Sequence, residues 1–387
     1  MLVHSPPLPL IIDYRSRDIT AKDEEAIILA LEHRDRVRRI RFLQPVLKLQ
    51  KFIMAINGEY PILEHLILED LPKEKGTALI LPETLQTPHL RHLTIDCSIR
   101  IPIRSLLLGT AAGLVILTLG IDHPSAYFQP NVLLQWLSSM PQLETLVVLF
   151  DFPIPKRDVA RQLMRTPFVA HVTLPNLRVF VLQAVSAYSE AVVSRITAPR
   201  LKKLQICFFK QLAFSVPQLL QFMGRTENLR FDRAEFQFTS RRVYVEVYPP
   251  EAETDAFSMN VDCWHLDWQV FSAAQVFNSL SQIFSTVGHL TLEHKVHSRS
   301  SEEHNEVDRA EWRKLLRSFS NAKTLRIGDG LVGDLAHCLR LEDGEHPLEV
   351  LPELQELTYR GSNAGDAFTP FIDARQNAGR SVTLIKS

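Results

Sequence analysis

The sequence has 387 residues, of which 45% are hydrophobic and 22% are charged, the balance of a folded globular protein. Its formal net charge of −1 gives no general attraction to polyanions, which argues against nucleic acid and anionic membrane as partners. Cys97, Cys207, Cys263 and Cys338 lie far apart and form no C-x-x-C pair, so we expect buried free thiols rather than disulfides or a zinc site.

The chain opens with an extended segment and a helix. Leu8–Tyr14 predicts a first strand that caps one end of the fold. Met1–Tyr14 lacks the positive n-region and the small-residue cleavage pattern of a signal peptide, so we expect a cytoplasmic or nuclear protein. Thr20 is suited to N-cap a helix over about Ala21–His33, because acidic residues follow in its first turn.

One spacing of apolar residues then recurs along the chain, with apolar residues at positions i, i+3 and i+5. Such L-x-x-L-x-L runs at intervals of roughly 20 to 35 residues are typical of leucine-rich repeats, in which each repeat supplies one strand and one convex segment. We therefore predict an α/β fold, a right-handed leucine-rich-repeat solenoid with parallel strands on the concave face and helices and turns on the convex face. The copies are Val37/Ile40/Phe42, Leu63/Leu66/Leu68, Leu90/Leu93/Ile95, Leu114/Leu117/Leu119, Leu143/Leu146/Val148, Leu177/Phe180/Leu182, Leu201/Leu204/Ile206, Phe231/Ala234/Phe236, Val287/Leu290/Leu292, Ala322/Leu325/Ile327 and Leu354/Leu357/Tyr359.

The segments between these strands differ in helix signal. Apolar residues at helical spacing predict helices over Leu47–Ile56, Val132–Leu137 and Val159–Met164. Pro82–Pro88 and Arg195–Pro199 are better suited to short turns.

Ser105–Ile121 is uncharged and almost long enough to cross a bilayer. Gly109 and Gly113 divide this stretch, and Leu114–Leu119 fits the repeat. We therefore expect a repeat here and no membrane span.

The repeat pattern lapses between Phe236 and Val287. Arg242–Tyr248 alternates as a strand does, and Phe257–Cys263 is a candidate partner for it, so a hairpin and two degenerate repeats both fit. A long amphipathic helix is expected over Phe271–Phe284.

Two polar loops, a closing helix and a last strand follow. His297–Asn305 and Glu342–His346 are expected to be exposed and mobile. Asp366–Asn377 predicts the helix and Val382–Ile385 the strand. The predicted organisation is a lead-in and cap (1–20), repeats (21–236), an irregular insert or degenerate repeats (237–285), repeats (286–360) and a C-terminal cap (361–387).

Catalytic signals are weak. The sequence lacks G-x-x-x-x-G-K-[ST], G-x-S-x-G and H-E-x-x-H, which argues against a nucleotide-binding or simple hydrolase site. We predict no enzyme, no cofactor and no metal. The rival interpretations are a metal site at His294, His297 and His304, and an acid–base site at His265 within the irregular insert.

A basic run precedes and enters the first repeat strand, and it is the densest positive cluster in the chain. It is suited to gripping phosphates or an acidic peptide. Because the acids Glu32 and Asp35 lie within the same stretch, we expect a partly neutralised, solvated edge instead. The run comprises Arg34, Arg36, Arg38, Arg39 and Arg41.

Strand geometry yields a more informative map, because side chains alternate between the two faces of a strand. If the repeat leucines point inward, the residues between them form a surface that is charged at both ends and apolar in the middle. An apolar patch flanked by charge is typical of a partner site. The predicted partner-binding residues are Ile116, Thr145, Val147, Leu149, Val179, Val181, Lys203 and Arg233.

A second interpretation of the apolar positions is open. If Tyr127, Phe150, Phe152 or an ascending loop folds over the strands, the same residues belong to the core.

Several phrases of the sequence resemble one known family. The phrases are Leu8–Tyr14, Asp23–Leu31, Asp35–Phe42, Pro61–Leu68, Gln142–Leu146 and Asn228–Phe236. They are similar to the region after the F-box in fungal F-box/leucine-rich-repeat proteins. The resemblance implies that the repeats capture the substrate of a cullin-type ubiquitin ligase. An F-box would precede the repeats, and Met1–Pro7 does not supply one, so no adaptor-contact residue is assigned.

The sequence therefore predicts non-catalytic protein recognition. By resemblance, the chain is the substrate-binding repeat region of an F-box protein. The alternatives are a standalone leucine-rich-repeat scaffold without a ligase role and an enzyme with its site in the irregular insert.

Overall fold

The protein has an α/β fold built on a mostly parallel sheet flanked by helices. It divides into two compact units, residues 1–201 and 202–387. The computed structural model describes residues 8–16, 19–70, 79–97, 99–102, 105–153, 171–209, 211, 213–226, 228–250, 253–295, 308–342, 344–360 and 367–386.

In the first unit, parallel strands follow one another in the order β1-β2-β3-β5-β7-β8-β10. Their bounds are β1 (Leu10–Tyr14), β2 (Val37–Gln44), β3 (His65–Asp70), β4 (Leu79–Ile80), β5 (His92–Asp96), β6 (Ile99–Arg100), β7 (Ile116–Ile121), β8 (Thr145–Phe150), β9 (Val172–Thr173), β10 (Val179–Ala184) and β11 (Ile196–Thr197). The helices are α1 (Ala21–Glu32), α2 (Val46–Ala55), α3 (Leu106–Thr110), α4 (Pro130–Leu137) and α5 (Ser186–Val193).

Register places equivalent repeat leucines beside one another. Leu66 pairs with Leu93, Leu93 with Leu117, Leu117 with Leu146, and Leu146 with Phe180. All five side chains are wholly buried. Each repeat therefore adds one rung to a continuous apolar ladder, and burial of that ladder supplies the main driving force for folding of this unit.

The N-terminal predictions are confirmed in the structure. β1 pairs in parallel with β2. Thr20 caps α1 by accepting a hydrogen bond from the Asp23 backbone N–H, and the Asp23 carboxylate accepts one from the Thr20 backbone N–H in return. Gly58, just after α2, has a φ of +86°, a conformation that suits glycine.

Short turns do replace full helices in two segments, as expected. Two additional strand pairs lie in and beside these turns and were not foreseen: β4 with β6, and β9 with β11. The predicted helix over Val159–Met164 falls outside the described residues.

The uncharged stretch Ser105–Ile121 forms α3, a turn and β7. Its second half, β7, pairs in parallel register with β5 and β8, as the repeat pattern predicts. In the described part of the chain, no helix combines the length and apolarity needed to span a bilayer.

The second unit has the strand order β12-β15-β14-β13-β16-β17-β18-β19. The strands are β12 (Lys203–Phe208), β13 (Arg233–Thr239), β14 (Arg242–Tyr248), β15 (Phe257–Asp262), β16 (His289–Lys295), β17 (Thr324–Ile327), β18 (Glu356–Tyr359) and β19 (Thr383–Lys386). The helices are α6 (Pro217–Gly224), α7 (Leu266–Ser279), α8 (Ser281–Phe284), α9 (Arg309–Arg317), α10 (Val332–Leu339) and α11 (Thr369–Asn377).

The lapse in the repeat pattern corresponds to an antiparallel meander within this unit. β14 pairs antiparallel with both β13 and β15, which confirms the hairpin of the two predicted strands. β15 also pairs in parallel with β12, and β13 in parallel with β16. The meander is thus an integral part of the sheet. The predicted long helix is divided into α7 and α8.

In the predicted loop at Glu342–His346, three residues are exposed as expected, Glu342, Gly344 and His346, but Glu345 contacts α9. Glu345 accepts hydrogen bonds from Arg309 at 2.6 Å and from Arg313 at 3.2 Å, and Arg313 also contacts Glu349 at 3.0 Å. Only 5% of the Arg313 side chain is exposed. The loop is therefore anchored to α9 by ion pairs that sequence proximity does not reveal. The other predicted loop, His297–Asn305, lies outside the described residues.

Near the C-terminus, the segment before β18 is held by a wholly buried arginine. Arg375, in α11, donates to the backbone carbonyls of Pro347, Leu351, Pro352 and Leu354 at 3.0 to 3.4 Å. Such hydrogen bonds offset the cost of burying a guanidinium.

The four cysteines are free and buried, as predicted. Burial raises the pKa of Cys338 to about 12 and raises the pKa of Cys97 and Cys207. These thiols therefore stay protonated and unreactive at neutral pH.

Candidate functional site

The helices of the first unit pack on one side of its sheet, so the other side forms an open face. Phe42 of β2 stacks on Phe52 of α2, with ring centroids 4.7 Å apart, and Phe150 of β8 contacts Tyr188 of α5 at 5.0 Å. Phe42 and Phe150 occupy inward positions. The residues that alternate with such inward positions therefore face away from the helices.

Three rows of side chains cross this open face. Within each row, residues of neighbouring strands are paired in register. The rows are Arg39-His65-His92-Ile116-Thr145-Val179, Arg41-Ile67-Thr94-Thr118-Val147-Val181 and Leu43-Glu69-Asp96-Gly120-Leu149-Gln183.

The structure brings together the predicted residues of the first unit. Together they form what we call the apolar strip: Ile116, Thr145, Val147, Leu149, Val179 and Val181. All six are partly exposed, whereas the alternating residues Leu146, Val148, Phe180 and Leu182 are wholly buried. The strip therefore lies on the surface of the described structure, in an unbroken run across β7, β8 and β10.

The aromatic residues that would have covered the strip pack elsewhere. Phe150 is wholly buried and contacts Tyr127 at 5.8 Å, Phe128 at 5.5 Å and Phe152 at 6.1 Å. This aromatic cluster surrounds an inward residue of β8, on the helix side of the sheet. An ascending loop remains the other predicted cover, and residues 154–170, which follow β8, lie outside the described residues.

Ile67 lies in one of the outward rows, as alternation predicts, but it is only 6% exposed. It pairs with Arg41 on one side and Thr94 on the other. Arg41 bonds the Glu69 carboxylate at 3.1 Å, so these long side chains lie beside Ile67. The aliphatic parts of such long neighbouring side chains can bury an outward residue, although strand alternation alone predicts that it is exposed.

The charged end of the open face holds two histidines. The rings of His65 and His92 are 5.7 Å apart, and His92 Nε2 lies 3.1 Å from the Thr94 hydroxyl. Burial lowers the pKa of both histidines, and the nearby Arg39 guanidinium lowers both further. Both imidazoles are therefore predominantly neutral at pH 7.

The basic run has other partners than those expected. Arg38 pairs with Glu64 at 3.0 Å and Arg41 with Glu69 at 3.1 Å, both glutamates belonging to the next repeat. Glu32 and Asp35, the acids adjacent in sequence, are not these partners. The edge is nonetheless partly neutralised, as predicted.

An aspartate borders the strip. Asp96 is exposed and precedes Gly120 in its row. A Cβ atom on Gly120 would lie 2.0 Å from the Asp96 carboxylate oxygen. Glycine is thus required at position 120 for the Asp96 side chain to lie across β7 toward Leu149.

The two predicted residues of the second unit lie among charges rather than in an apolar surface. Lys203 pairs with Asp255 at 2.8 Å. Arg233 is exposed, pairs with Glu235 at 3.3 Å and lies over the Tyr248 ring at 4.3 Å. Their charges are therefore already partly satisfied within the chain.

The alternative catalytic and metal sites gain little from the structure. His265 is exposed, and the nearby Asp262 pairs with Arg242 at 3.3 Å. Of the proposed histidine cluster only His294 lies among the described residues, and those residues contain no group of three or more potential metal ligands.

The chain also contains one G-x-G-x-x-G pattern, Gly328–Gly333, which follows β17 and leads into α10. This is the context of a dinucleotide-binding turn. A Cβ atom added to Gly330 would lie 3.1 Å from the His294 ring, and one added to Gly328 would lie 3.3 Å from the Glu293 Cα. The glycines thus allow the turn to pack against β16. Asp329 and Asp334 also place negative charge where a phosphate would bind. We therefore assign no nucleotide site to this turn.

Comparison with known proteins adds no relationship. No protein-family model matches the sequence, and no curated protein matches it.

Proposed function

We propose that the chain is a non-catalytic protein-recognition module, and that its first unit binds a protein partner through the apolar strip. The observation that carries the proposal is the cluster of partly exposed apolar side chains on three strands paired in register, β7, β8 and β10, on the face opposite the helices. Contiguous exposed apolar patches mark interaction sites on soluble domains.

The finer fold assignment is part of the proposal. Repeated strands in parallel register, a buried ladder of equivalent leucines and helices on one side of the sheet support a leucine-rich-repeat solenoid. In such a solenoid the strands line one extended face suited to a protein ligand.

The surroundings of the strip suggest the chemistry of the partner. Asp96 and Glu69 lie in the same row as Leu149, and Arg39 lies in the row of Ile116. An apolar segment flanked by polar or charged residues would complement this arrangement, with the apolar contact supplying affinity and the charges supplying orientation.

The resemblance to F-box proteins suggests that the partner is a ligase substrate. A standalone scaffold that binds targets without delivering them is the alternative. Binding of the ligase adaptor would separate the two roles. An enzyme sited in the irregular insert is the least supported, since His265 is exposed and the ion pair recorded for Asp262 is with Arg242.

The deciding experiment is affinity capture from native lysate, read by mass spectrometry, with the wild-type chain and the double variant Val147→Asp, Val181→Asp as baits. Two buried carboxylates would weaken the contact by at least ~30-fold, as for loss of an interface hot spot of about 2 kcal/mol. Circular dichroism and chemical denaturation establish whether the variant is folded.

The matched control places aspartates on the open side of the second unit, as Thr291→Asp with Thr358→Asp. We expect this variant to capture the same proteins as the wild type. If the strip variant is folded and still captures them, the strip is not the binding site; if it unfolds, the strip belongs to the core.

A further inference from the structure

A groove of about 530 Å³ runs along the N-terminal ends of β3, β5, β7 and β8, beside the open face of the first unit. Equivalent residues of successive repeats line it. The residues that immediately precede the four strands are Glu64, Arg91, Val115 and Glu144. Two positions earlier in each repeat lie Ile62, His89, Gly113 and Gln142.

The backbone beneath the groove is already hydrogen-bonded. The Glu64 carbonyl accepts the N–H groups of Arg91 and His92 at 2.9 and 3.0 Å. The Arg91 carbonyl accepts those of Val115 and Ile116 in the same way, at 2.8 and 3.0 Å. Recognition within the groove therefore depends on side chains, and above all on their charges.

The charged side chains differ in how strongly they are engaged. Glu64 pairs with Arg38 at 3.0 Å, whereas Glu144 lies 3.9 Å from Arg178 and its side chain is 45% exposed. Arg91 is exposed, and no ion pair is found for it within the described ranges. The groove therefore presents one available cation and one loosely paired carboxylate.

The spacing of these charges fits an extended peptide. Arg91 precedes β5 and Glu144 precedes β8, with β7 between them, so two strand spacings of about 4.8 Å separate their backbones by roughly 10 Å. In a peptide with the extended polyproline II conformation, residues three apart point to the same side because that helix has three residues per turn, and they are separated by about the same distance, at roughly 3.1 Å per residue.

We propose that this groove binds a peptide segment carrying an acidic and a basic side chain three residues apart. The peptide carboxylate pairs with Arg91, and its ammonium or guanidinium pairs with Glu144. The two residues between them cross Gly113 and Val115.

Gly113 leaves the space through which the peptide passes. A Cβ atom there would meet only the Leu90 carbonyl, at 3.9 Å. A larger side chain at position 113 would thus occupy the groove without displacing the fold.

The groove shares no lining residue with the apolar strip. The inference therefore stands apart from the proposed function, and the Val147→Asp, Val181→Asp variant should bind the peptide normally. A failure of either site is thus distinguishable from a failure of the other.

The test is fluorescence anisotropy with labelled peptides that contain Glu-Ser-Val-Lys, Lys-Ser-Val-Lys, Glu-Ser-Val-Glu or Ser-Ser-Val-Ser. The full chain should bind the first peptide about five- to tenfold more tightly than Lys-Ser-Val-Lys or Glu-Ser-Val-Glu, each of which lacks one ion pair of about 1 kcal/mol. Ser-Ser-Val-Ser lacks both ion pairs and should bind at least as weakly as those two. Arg91→Glu should transfer the preference to Lys-Ser-Val-Lys, and Glu144→Arg should transfer it to Glu-Ser-Val-Glu.

A steric variant provides the second measurement. Gly113→Tyr should abolish binding of Glu-Ser-Val-Lys, whereas Gly109→Tyr, at a glycine of α3 with open space around it, should not. Equal binding of all four peptides, a preference unchanged by charge reversal, or equal weakening by the two tyrosines would overturn the proposal.

Discussion

On the open face of the first unit, Val147 and Val181 are paired in neighbouring strands, and the next residue of their row is Thr118. The corresponding row of the second unit contains the opposed carboxylates Glu235 and Glu246 and continues through Thr291 to Arg326. Ladders of inward apolar residues support both rows, parallel in the first unit and partly antiparallel in the second. Because the ladder supplies the stability, the outward positions are free to differ.

The second unit satisfies both carboxylates of this row internally. Arg233 pairs with Glu235 at 3.3 Å, and the Tyr248 hydroxyl donates to Glu246 at 2.7 Å. Burial and this hydrogen bond raise the pKa of Tyr248. A surface whose polar groups already have partners gains less from a ligand than one whose apolar groups face water.

The largest predicted effect contrasts the two sides of β8. Phe150→Ala removes a wholly buried ring from its aromatic cluster and should cost about 4 kcal/mol of unfolding free energy. Val147→Ala, on the partly exposed side, should cost less than about 1 kcal/mol. Urea denaturation of both variants measures the difference, and similar losses would show that Val147 belongs to the core.

The next prediction concerns the polar interior of the second unit. Arg375→Met leaves four carbonyls without their donor and should cost about 3 kcal/mol. Arg380→Met is the control, since the Arg380 side chain is 56% exposed and lies 3.6 Å from Glu353; it should cost less than about 1 kcal/mol. Equal denaturation midpoints for the two variants would contradict the role assigned to Arg375.

A smaller effect should follow pH through the histidines of the first unit. Their folded pKa values lie below the unfolded value of about 6.5. The unfolded chain thus binds protons first as the pH falls, so the stability is present above pH 6.5 and is lost as the pH drops through the folded pKa values. Between pH 7.5 and 5.5 the wild type should therefore lose more stability than His65→Gln, His92→Gln.

The control for this measurement is Thr118→Gln, which changes a partly exposed, non-titrating residue of the same open face. It should follow the wild-type pH dependence. An identical dependence in the double variant would mean that these two histidines carry no coupling between protonation and folding.

The smallest stability change is expected when the second face is made to resemble the first. Glu235→Val with Glu246→Val removes opposed like charges along with an ion pair and a hydrogen bond, so unfolding free energy should change by less than about 1 kcal/mol. The new apolar patch should increase self-association, as measured by light scattering. A loss of more than about 2 kcal/mol would show instead that the carboxylates stabilise the meander.

Sequence predicted the fold where one local pattern decided the structure. The L-x-x-L-x-L spacing located the main strands, because each inward leucine must be buried for the repeat to fold. Thr20 and Asp23 likewise revealed the helix start. The order of β12, β15 and β14 was not predictable, since it depends on pairing between residues as distant as Cys207 and Asn260.

The candidate site was predictable in part. Alternation placed Val147 and Val181 outward, and the structure brings them together. Alternation could not foresee the burial of Ile67, which depends on long neighbouring side chains. The groove was also missed, because Arg91 and Glu144 are far apart in sequence and come to line one groove only where the strand ends are aligned.

The antiparallel meander has a consequence for the order in which the chain folds. In the first unit, partners such as Arg41 and Glu69 are 28 residues apart, so each strand can dock soon after it is synthesised. The β12–β15 pairing joins residues 53 apart, and loop closure over that distance costs more chain entropy. The hairpins of β13, β14 and β15 are local and form within microseconds. These hairpins shorten the effective loop between β12 and β15. Pairing of β15 with β12 requires that the chain through Asp262 has left the ribosome.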